Sequence, residues 1–371
     1  MTTNRAATPR LLRRLNAQRV FDALRDGGAQ RVTELVAHTG LSRPTVDAVA
    51  DDLVRLGWAS EVTARTPRRG RPARSLAFKA DAGYVAALDI GEVKVRAAVA
   101  DLRGEIVGER VHEFDGADRV PAIRRIAGAT LKDAGVSRRR LLASCVGCTG
   151  AMDPAAGRVI FSTALPHGFN LAGALQRTLA PPVVVENDCN LAVIGERWRG
   201  VARGVEDVVC VLGGERIGAG IVVGGKLLRG HAGAAGELGF LSTYAAEKQG
   251  RGIAQLVQVL AGEAPEAVFE AARAGDAAAL EVVERAASWA GLAIVTMAQV
   301  VNPELVVIGG GVAGAGDVLL DPLRRLVSDG FAIAPRIEAS SLGARGPLIG
   351  AIRHALDDLE PRLLDGLEEA A

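Results

Sequence analysis

A row of polar side chains begins at Ser42. Ser42, Arg43 and Thr45 follow a Gly-containing turn and precede an apolar repeat of helical spacing, which places them at the exposed N-terminal end of a helix. Guanidinium and hydroxyl groups in that position can reach base edges in the major groove of DNA. Asp47, one turn further on, repels phosphates unless it accepts a hydrogen bond from the amino group of a cytosine. The pattern predicts a helix that reads DNA.

Four arginines follow in a short segment that Gly and Pro stiffen. A solvated loop would carry such charges too, but a stiff basic tip suits phosphates or a narrow minor groove. We expect the tip to contact DNA through Arg68, Arg69, Arg71 and Arg74.

A winged helix-turn-helix would position both the helix residues and the arginines of the basic tip. Residues 33–79 contain the caps, turns and apolar spacing that predict this motif. Gly40 supplies a left-handed stop after a short helix, and Ser42 is a good cap for the next one. Val46, Val49 and Leu53 recur at helical spacing and mark the buried face of that second helix. The predicted elements are a helix over residues 34–39 capped by Thr33, a second helix over 43–56, and strands over 58–62 and 75–79.

The charge of the chain is unevenly distributed. Residues 1–80 carry 15 Arg and Lys against 7 Asp and Glu, whereas the remaining residues carry 29 against 36. Because arginine is abundant throughout, compositional bias alone would produce local clusters, but it does not explain a basic head on an acidic body. The asymmetry indicates a nucleic-acid-binding module attached to a larger acidic unit.

Composition limits the compartment and the cysteine chemistry. With 371 residues the chain has room for two or three compact units, and its 49% hydrophobic content is ample for their cores. No apolar run approaches the roughly 18 residues of a membrane span. We expect a cytoplasmic protein that does not enter a membrane. Cys145 and Cys148 form a C-x-x-C pair that could serve redox or metal chemistry, but small core residues in a reducing compartment are the favoured interpretation.

Beyond residue 80, two copies of one α/β pattern follow each other. Each copy opens with an apolar strand and continues with further strands joined by Gly-containing turns. Such a duplication predicts two lobes with a ligand cleft between them. The predicted strands are 84–90, 93–101, 105–112, 141–147, 208–212, 218–223, 226–228 and 305–308, and the predicted helices are 120–134, 266–274, 277–301, 317–328 and 350–358, before a solvated acidic tail that includes Glu360. We predict a DNA-binding domain over residues 1–80, a first lobe over 81–186 with the C-terminal helix 350–371, and a second lobe over 187–349.

Three motifs occur in order within these lobes. They are Val183-Val184-Val185-Glu186-Asn187-Asp188-Cys189-Asn190-Leu191-Ala192, then Ile217-Gly218-Ala219-Gly220-Ile221-Val222, and finally Asn302-Pro303-Glu304 running into Gly309-Gly310-Gly311. Together with the winged helix-turn-helix, these motifs resemble the ROK family of repressors and sugar kinases, in its transcription-factor branch. The resemblance implies an α/β fold, with a winged helix-turn-helix before a two-lobed actin/hexokinase-like (ribonuclease H-like) kinase fold. Such proteins usually assemble as homodimers or homotetramers.

The resemblance also implies a ligand site. Asp188 matches the family's catalytic aspartate, Asn187 matches a sugar hydrogen-bonding partner, and Glu237 matches a glutamate that contacts sugar hydroxyls. Each acid also has a purely structural interpretation. Asp188 could serve solely as the cap of the following helix, and Glu237 could be an ordinary surface acid. A usual sugar-binding asparagine is replaced by Ala164, and His167 nearby either compensates or is an exposed loop residue.

Other family positions are altered. The family's kinases have phosphate loops of the types Asp-x-Gly-Gly-Thr and Gly-Thr-Gly, where this chain has Glu92 and Val93 and then Glu215 and Arg216. A carboxylate about 4 Å from a phosphate charge repels it by roughly 4 kcal/mol at an effective dielectric constant near 20. The position of the family's zinc-binding histidine is Phe240, and no cysteine follows before residue 252. We therefore expect no catalysis, no metal and no cofactor.

The sequence thus predicts a DNA-binding transcriptional regulator, a repressor, whose degenerate kinase-like body senses a sugar or sugar-derived ligand. The expected partners are a double-stranded DNA operator, a small effector and further copies of the chain. Two alternatives remain open. One is an active sugar kinase that also binds DNA, and the other is a constitutive DNA-binding protein that binds no ligand.

Overall fold

The computed structural model describes residues 9–62, 74–114, 116, 118–179, 181–239, 251–328 and 334–369. The first of these residues form a head of three helices around a small antiparallel sheet of strand order β1-β3-β2. Its elements are α1 (Pro9–Gly27), β1 (Gln30–Arg31), α2 (Val32–Thr39), α3 (Arg43–Arg55), β2 (Ala59–Val62) and β3 (Ser75–Phe78). Helix α1 is missing from the sequence-based prediction because arginines interrupt its apolar repeat, yet Val20, Phe21 and Leu24 are buried in the head core.

The turn chemistry around α2 and α3 explains where these helices begin and end. Gly40 has a φ of 68°, and the Ser42 side chain accepts a hydrogen bond from the Thr45 backbone N–H, which confirms the predicted stop and cap. The predicted cap at Thr33 is wrong, because α2 already begins at Val32. Strand β1 leads directly into this helix, and the Glu34 carboxylate accepts a hydrogen bond from the Arg31 backbone N–H at 2.7 Å, so a Thr33 cap is not needed.

The first lobe is a five-stranded mixed sheet of order β10-β7-β4-β5-β6. Strands β4, β5 and β6 form an antiparallel meander, whereas β7 and β10 run parallel to β4. Every residue of β4 is buried because helices cover both faces of the sheet. The elements are β4 (Tyr84–Ile90), β5 (Lys94–Asp101), β6 (Ile106–Glu113), α4 (Arg119–Asp133), β7 (Leu141–Cys148), β8 (Ala151–Asp153), β9 (Arg158–Phe161), α5 (Leu171–Leu175) and β10 (Val183–Asn187).

The second lobe repeats this plan with a sheet of order β13-β12-β11-β14-β15. An antiparallel meander again comes first, and two parallel strands complete the sheet. The elements are α6 (Asp188–Arg199), β11 (Val208–Gly213), β12 (Ile217–Val223), β13 (Lys226–Leu227), α7 (Ile253–Ala261), α8 (Pro265–Arg273), α9 (Ala277–Val301), β14 (Leu305–Gly309), α10 (Asp317–Ser328) and β15 (Arg336–Ala339). The repeat agrees with the predicted duplication. None of the described helices is both long and apolar enough to cross a membrane.

A last helix, α11 (Gly346–Glu369), connects all three parts of the chain. It packs on α6, on β4 and β7, and on α1 of the head. The crossing with α6 is close because glycines form it: a Cβ atom on Gly350 would lie 1.7 Å from the Leu191 carbonyl oxygen. The prediction of a helix over 350–358 followed by a solvated tail is wrong in its extent, since Glu360 lies within α11 and forms an ion pair with Arg25.

The four cysteines are buried and form no disulfide. Cys145 and Cys148 lie three residues apart on β7, so their side chains project to opposite faces of the sheet. Cys145 belongs to the core shared with the head and α11, whereas Cys148 belongs to the core beneath α4. This geometry rules out a disulfide between them and favours their interpretation as small core residues.

Candidate ligand cleft and DNA-binding helix

A cleft of about 500 Å³ lies between the two lobes. It is lined where the chain leaves the sheets: the turn after β4, the start of α6, the turn between β11 and β12, and the glycines after β14. Its size is typical of sites for small molecules. Asn187, Asp188 and Glu237, which lie on separate segments, all line it.

Asn187 and Asp188 divide their roles at the start of α6. The Asn187 side chain caps the helix by accepting a hydrogen bond from the Asn190 backbone N–H at 2.9 Å, and its amide donates to the Gly150 carbonyl oxygen at 2.9 Å. The Asp188 carboxylate accepts a hydrogen bond from the Cys189 backbone N–H at 2.9 Å. Because Asn187 is the cap, Asp188 is not needed in that structural role and faces the cleft.

Glu237 reaches the cleft from the second lobe through a tight glycine turn. Gly236 has a φ of 84°, and a Cβ atom there would lie 1.9 Å from the Ala219 carbonyl oxygen, so only glycine allows the loop to approach β12 this closely. The turn brings Glu237 Oε1 to 3.5 Å from Asn187 Nδ2. Glu237 is thus part of the cleft and not an ordinary surface acid.

Burial and mutual repulsion alter the acidity of the cleft. Burial, together with the nearby charges of Asp89 and Glu237, raises the pKa of Asp188 to about 7. Burial also raises the pKa of Asp89 to about 6, against the opposing effect of Arg96, and raises the pKa of Glu237. Near neutral pH, Asp188 can therefore accept a hydrogen bond from a ligand hydroxyl or, when protonated, donate one.

Two charge pairs occupy the end of the cleft that corresponds to the family's phosphate loops. Arg96 Nη1 on β5 lies 3.3 Å from Asp89 Oδ2 at the end of β4. Arg216 Nε, in the turn between β11 and β12, lies 3.9 Å from Glu92 Oε2. The second pair joins the two lobes across the cleft. Arg216 thus lies against Glu92, a partner that the sequence analysis did not consider.

An ion pair between the buried Glu186 and the partly exposed Arg229 supports both sides of the site. The Glu186 carboxylate is almost fully buried and accepts hydrogen bonds from Arg229 Nε at 2.7 Å and from Asn190 Nδ2 at 2.9 Å. Glu186 precedes Asn187 on β10, and Arg229 begins the loop that ends at Glu237. The pair therefore fixes the end of β10 in the first lobe against the loop of residues 229–237 in the second lobe.

Ala164 and His167, two positions near the family's other sugar contacts, do not line this cleft. Ala164 is buried away from the cleft, where Thr163 is the lining residue. His167 is exposed, which agrees with its interpretation as a loop residue. Its ring centroid lies 5.1 Å from that of Phe161. Phe240 lies outside the described residues. With phenylalanine at the histidine position and no cysteine up to residue 252, the donor set does not fit a zinc ion.

The predicted DNA-contacting residues of α3 lie at its exposed N-terminal end. Arg43 has 69% of its side chain exposed, and Ser42 is exposed as well. The hydroxyls of Ser42 and Thr45 lie 2.8 Å apart and bond each other. Arg43 is the long, exposed side chain at the point where such a helix meets DNA, and its Nε lies 3.7 Å from Asp47 Oδ2.

Of the four predicted wing arginines, Arg74 lies in the described part of the chain. Arg68, Arg69 and Arg71 lie outside the described residues. Arg74 is mostly covered, and its guanidinium contacts Asp51 at 2.6 Å and Glu61 at 2.8 Å. Its charge is shared with carboxylates of the head, so phosphates would compete with these partners.

Sequence reasoning missed Arg96, Arg229 and Glu186. Arg96 could have been noticed as a charge inside an otherwise apolar strand, and Glu186 as an acid at the end of an apolar strand. Nothing in the sequence pairs Glu186 with Arg229, because the two residues are 43 positions apart and meet only in the fold.

Known protein families identify the body of the chain. The ROK family model matches residues 85–357, more than half of the chain. The chain belongs to the ROK family. A model of the IclR helix-turn-helix domain matches residues 5–62, which cover α1 to β2. These matches confirm the helix-turn-helix head and the family recognised from the sequence.

Individual ROK proteins include both regulators and kinases. The xylose repressor of Caldicellulosiruptor bescii is 24% identical over 94% of this chain and 97% of its own length. A glucokinase of Halalkalibacterium halodurans is 30% identical over 66% of this chain and 85% of its own length. This second match covers about two thirds of the chain, whereas the match to the repressor covers nearly all of it.

Solved structures confirm the kinase-like fold of the body. A ROK family transcriptional regulator, described as a homologue of the E. coli MLC protein, superposes with a TM-score of 0.76 at 21% identity, over 96% of this chain and 99% of that one. A ROK glucokinase from Streptomyces griseus, in complex with glucose and AMPPNP, gives a TM-score of 0.64 at 26% identity, over 74% of this chain and all of that one. The chain is a DNA-binding regulator built on a sugar-kinase fold.

Proposed function

We propose that this protein represses transcription in response to a sugar or sugar-derived ligand held between its lobes, and that it does not phosphorylate the ligand. Its helix-turn-helix head and the full-length similarity to a xylose repressor support the role in repression. We also propose that it acts in the cytoplasm, where a DNA operator would be its partner. By analogy with paired half-sites, we propose that at least two copies of the chain act together.

The proposal that the cleft binds a sugar rests on a contrast between the two ends of the cleft. At one end Asn187, Asp188 and Glu237 converge and offer amide and carboxylate groups suited to hydroxyls. At the other end, Asp89 is paired with Arg96 and Glu92 lies against Arg216. The sugar-binding half is retained, whereas the nucleotide half is filled by charges of the chain itself.

Phosphoryl transfer would need a nucleotide end that attracts negative charge. A triphosphate is stabilised by backbone N–H groups, cations and Mg²⁺. Here the carboxylates of Glu92 and Glu215 lie where a polyanion would approach, and Arg96 already neutralises Asp89. Among the described lining residues, six acids accompany three basic side chains, an excess that disfavours anionic ligands and favours a neutral polyol.

The test is fluorescence anisotropy of the full chain on DNA from upstream of its own gene, at fixed salt, with a panel of sugars and sugar phosphates. We expect one compound to change the DNA affinity by about 5- to 150-fold, the usual range of allosteric coupling, without any need for ATP. Glu237→Gln should abolish this response. As a matched control, Glu266→Gln removes an acid at another part of the cleft and should preserve it. Specific DNA binding that no compound alters would contradict ligand sensing.

Active sugar phosphorylation is the second candidate, and the glucokinase relatives together with Asp188 favour it. A carboxylate with a pKa of about 7 is suited to accept a proton from a sugar hydroxyl. A coupled assay of ATP consumption over hexoses and pentoses decides between the two. Sugar-dependent turnover that Asp188→Asn abolishes would establish a kinase and overturn the proposal of a purely binding role.

A further inference from the structure

An acid occupies the DNA-reading face of α3. Asp47 lies one helical turn after Arg43, and 38% of its side chain is exposed. DNA carries a dense row of negative phosphates, so a carboxylate on this face weakens binding unless it gains a specific contact. Its position therefore requires an explanation.

The surroundings of Asp47 reduce this penalty without occupying the carboxylate. Arg43 Nε lies 3.7 Å from Asp47 Oδ2, and Arg74 Nη1 lies 3.9 Å from Asp47 Oδ1. Both separations exceed hydrogen-bonding distance, so the two arginines shield the charge and leave the oxygens able to accept. Arg74 directs its shorter contacts to Asp51 and Glu61.

Asp51 shows that Asp47 is not needed for the ion pairs of this surface. Asp51 Oδ1 lies 2.6 Å from Arg74 Nη2, and Glu61 Oε1 lies 2.8 Å from Arg74 Nε. These two acids already hold Arg74 in place at the base of the wing. Asp47 adds a third carboxylate that makes only distant contacts within the described part of the head.

We propose that Asp47 is a specificity-determining residue that accepts a hydrogen bond from the N4 amino group of a cytosine in the major groove. Among the four bases, only cytosine and adenine present amino donors there. Adenine places the N7 acceptor beside its amino group, which repels a carboxylate, whereas cytosine presents the amino group without that neighbour. The proposal rests on DNA binding by the head and is independent of ligand sensing.

The test is a selection of randomised DNA duplexes by the full chain, followed by anisotropy on single-base variants of the selected site. For the native chain, replacing one particular C·G pair should weaken binding by about 5- to 150-fold, the range of a good base contact. Asp47→Ala should remove the preference at that pair alone. Asp47→Asn should shift it towards adenine, because an Asn amide matches both N6 and N7 of that base.

Asp51→Asn is the matched control, since it removes the same charge from the same helix one turn away. General electrostatics predicts that both variants strengthen binding to all sequences alike. Only the Asp47 variants should alter base preference. An unchanged preference in Asp47→Ala, or an equal change in Asp51→Asn, overturns the proposal. Failure of the native chain to bind any duplex would instead refute the DNA-binding function itself.

Discussion

At Asp188, burial and the negative charges of neighbouring residues both raise the pKa of the carboxyl group. Its neutral form is favoured in the folded chain, so its pKa is raised from its ordinary value to about 7. Well below pH 4 the carboxyl is protonated in both folded and unfolded chains. Between pH 4 and 7 the unfolded chain loses the proton first, and the stability that Asp188 contributes is progressively lost.

Asp188→Asn keeps the shape of the side chain and removes this titration. We expect the variant to gain stability relative to the native protein as the pH rises from 4 to 7, by on the order of a few kcal/mol, with a constant difference above pH 8. Unfolding midpoints at several pH values provide the measurement. A difference that stays constant from pH 4 to 8 would mean that Asp188 titrates as an ordinary surface acid.

Arg43 is the residue whose exposure best fits a base contact. Its loss in Arg43→Ala should cost about 1–3 kcal/mol of binding free energy on the preferred DNA site and relax the sequence preference. Arg55→Ala is a suitable control, because Arg55 lies at the other end of α3 and bonds Asp52. Competition between specific and random DNA measures both effects, and equal losses in the two variants would argue against a base contact by Arg43.

The sequence predicted some of these residues and not others for a physical reason. Asn187, Asp188 and Glu237 could be assigned because each lies within a contiguous motif that resembles the ROK family. Arg96, Glu92 and Arg216 gain their roles only from partners that folding brings close to them. Pairing across a cleft depends on register and lobe geometry, which a local pattern does not contain.

At the scale of elements, the crossing of α6 and α11 determines how the lobes meet. A Cβ atom on Gly195 would lie 2.5 Å from the Gly346 carbonyl oxygen, and one on Gly350 would lie 1.7 Å from that of Leu191. Backbone contact of this kind leaves no room for a side chain. The two helices thus pack more closely than side chains would allow, with Asp188 at the start of one of them.

Gly350→Ala tests this crossing. The added methyl group must displace backbone, so we expect a loss of roughly 1–3 kcal/mol in the free energy of unfolding. Gly128→Ala is the matched control in α4, where an added Cβ meets nothing within 4 Å. It should instead gain about 0.5–1 kcal/mol from the lower conformational freedom of alanine. Chemical denaturation of both variants decides, and a stabilised Gly350→Ala would show that the helices can separate freely.

Most elements of the body could be predicted, and the exceptions are instructive. Helices α9 and α10 run over the predicted residues because long apolar repeats and clear boundaries define them. Helix α11 was expected to end at 358, before a solvated acidic tail. It continues because Leu363 and Leu364 are buried against the head, a tertiary contact that the local sequence does not reveal.

At the scale of the whole molecule, the head and the first lobe share one hydrophobic core. Phe21 and Leu24 of α1, Val85 of β4 and Leu359 of α11 belong to the same cluster of buried side chains. The ligand cleft and the DNA-reading helix are therefore joined through α11 and not through a loose linker. Movement of the lobes can reach the head through this contact.

The ion pair between Arg25 and Glu360 lies within this contact, and both side chains are largely covered, with 12% and 15% exposed. Glu360→Gln would remove the α11 carboxylate from Arg25 and leave it with Asp22 and Asp26 of its own helix, at a cost of about 1.5–3 kcal/mol. We expect amide hydrogen exchange in α1 to accelerate by roughly tenfold or more, while β4 and β5 stay protected.

Asp365→Asn provides the control, since Asp365 pairs with Arg14 between the same two helices but in solvent, and such pairs contribute at most about 1 kcal/mol. Exchange in α1 should therefore change little in this variant. If Glu360→Gln left α1 as protected as in the native chain, the apolar contacts alone would hold the head. If both variants accelerated exchange equally, general charge at the end of α11 would account for the effect, and the buried pair would have no special part in joining the head to the cleft.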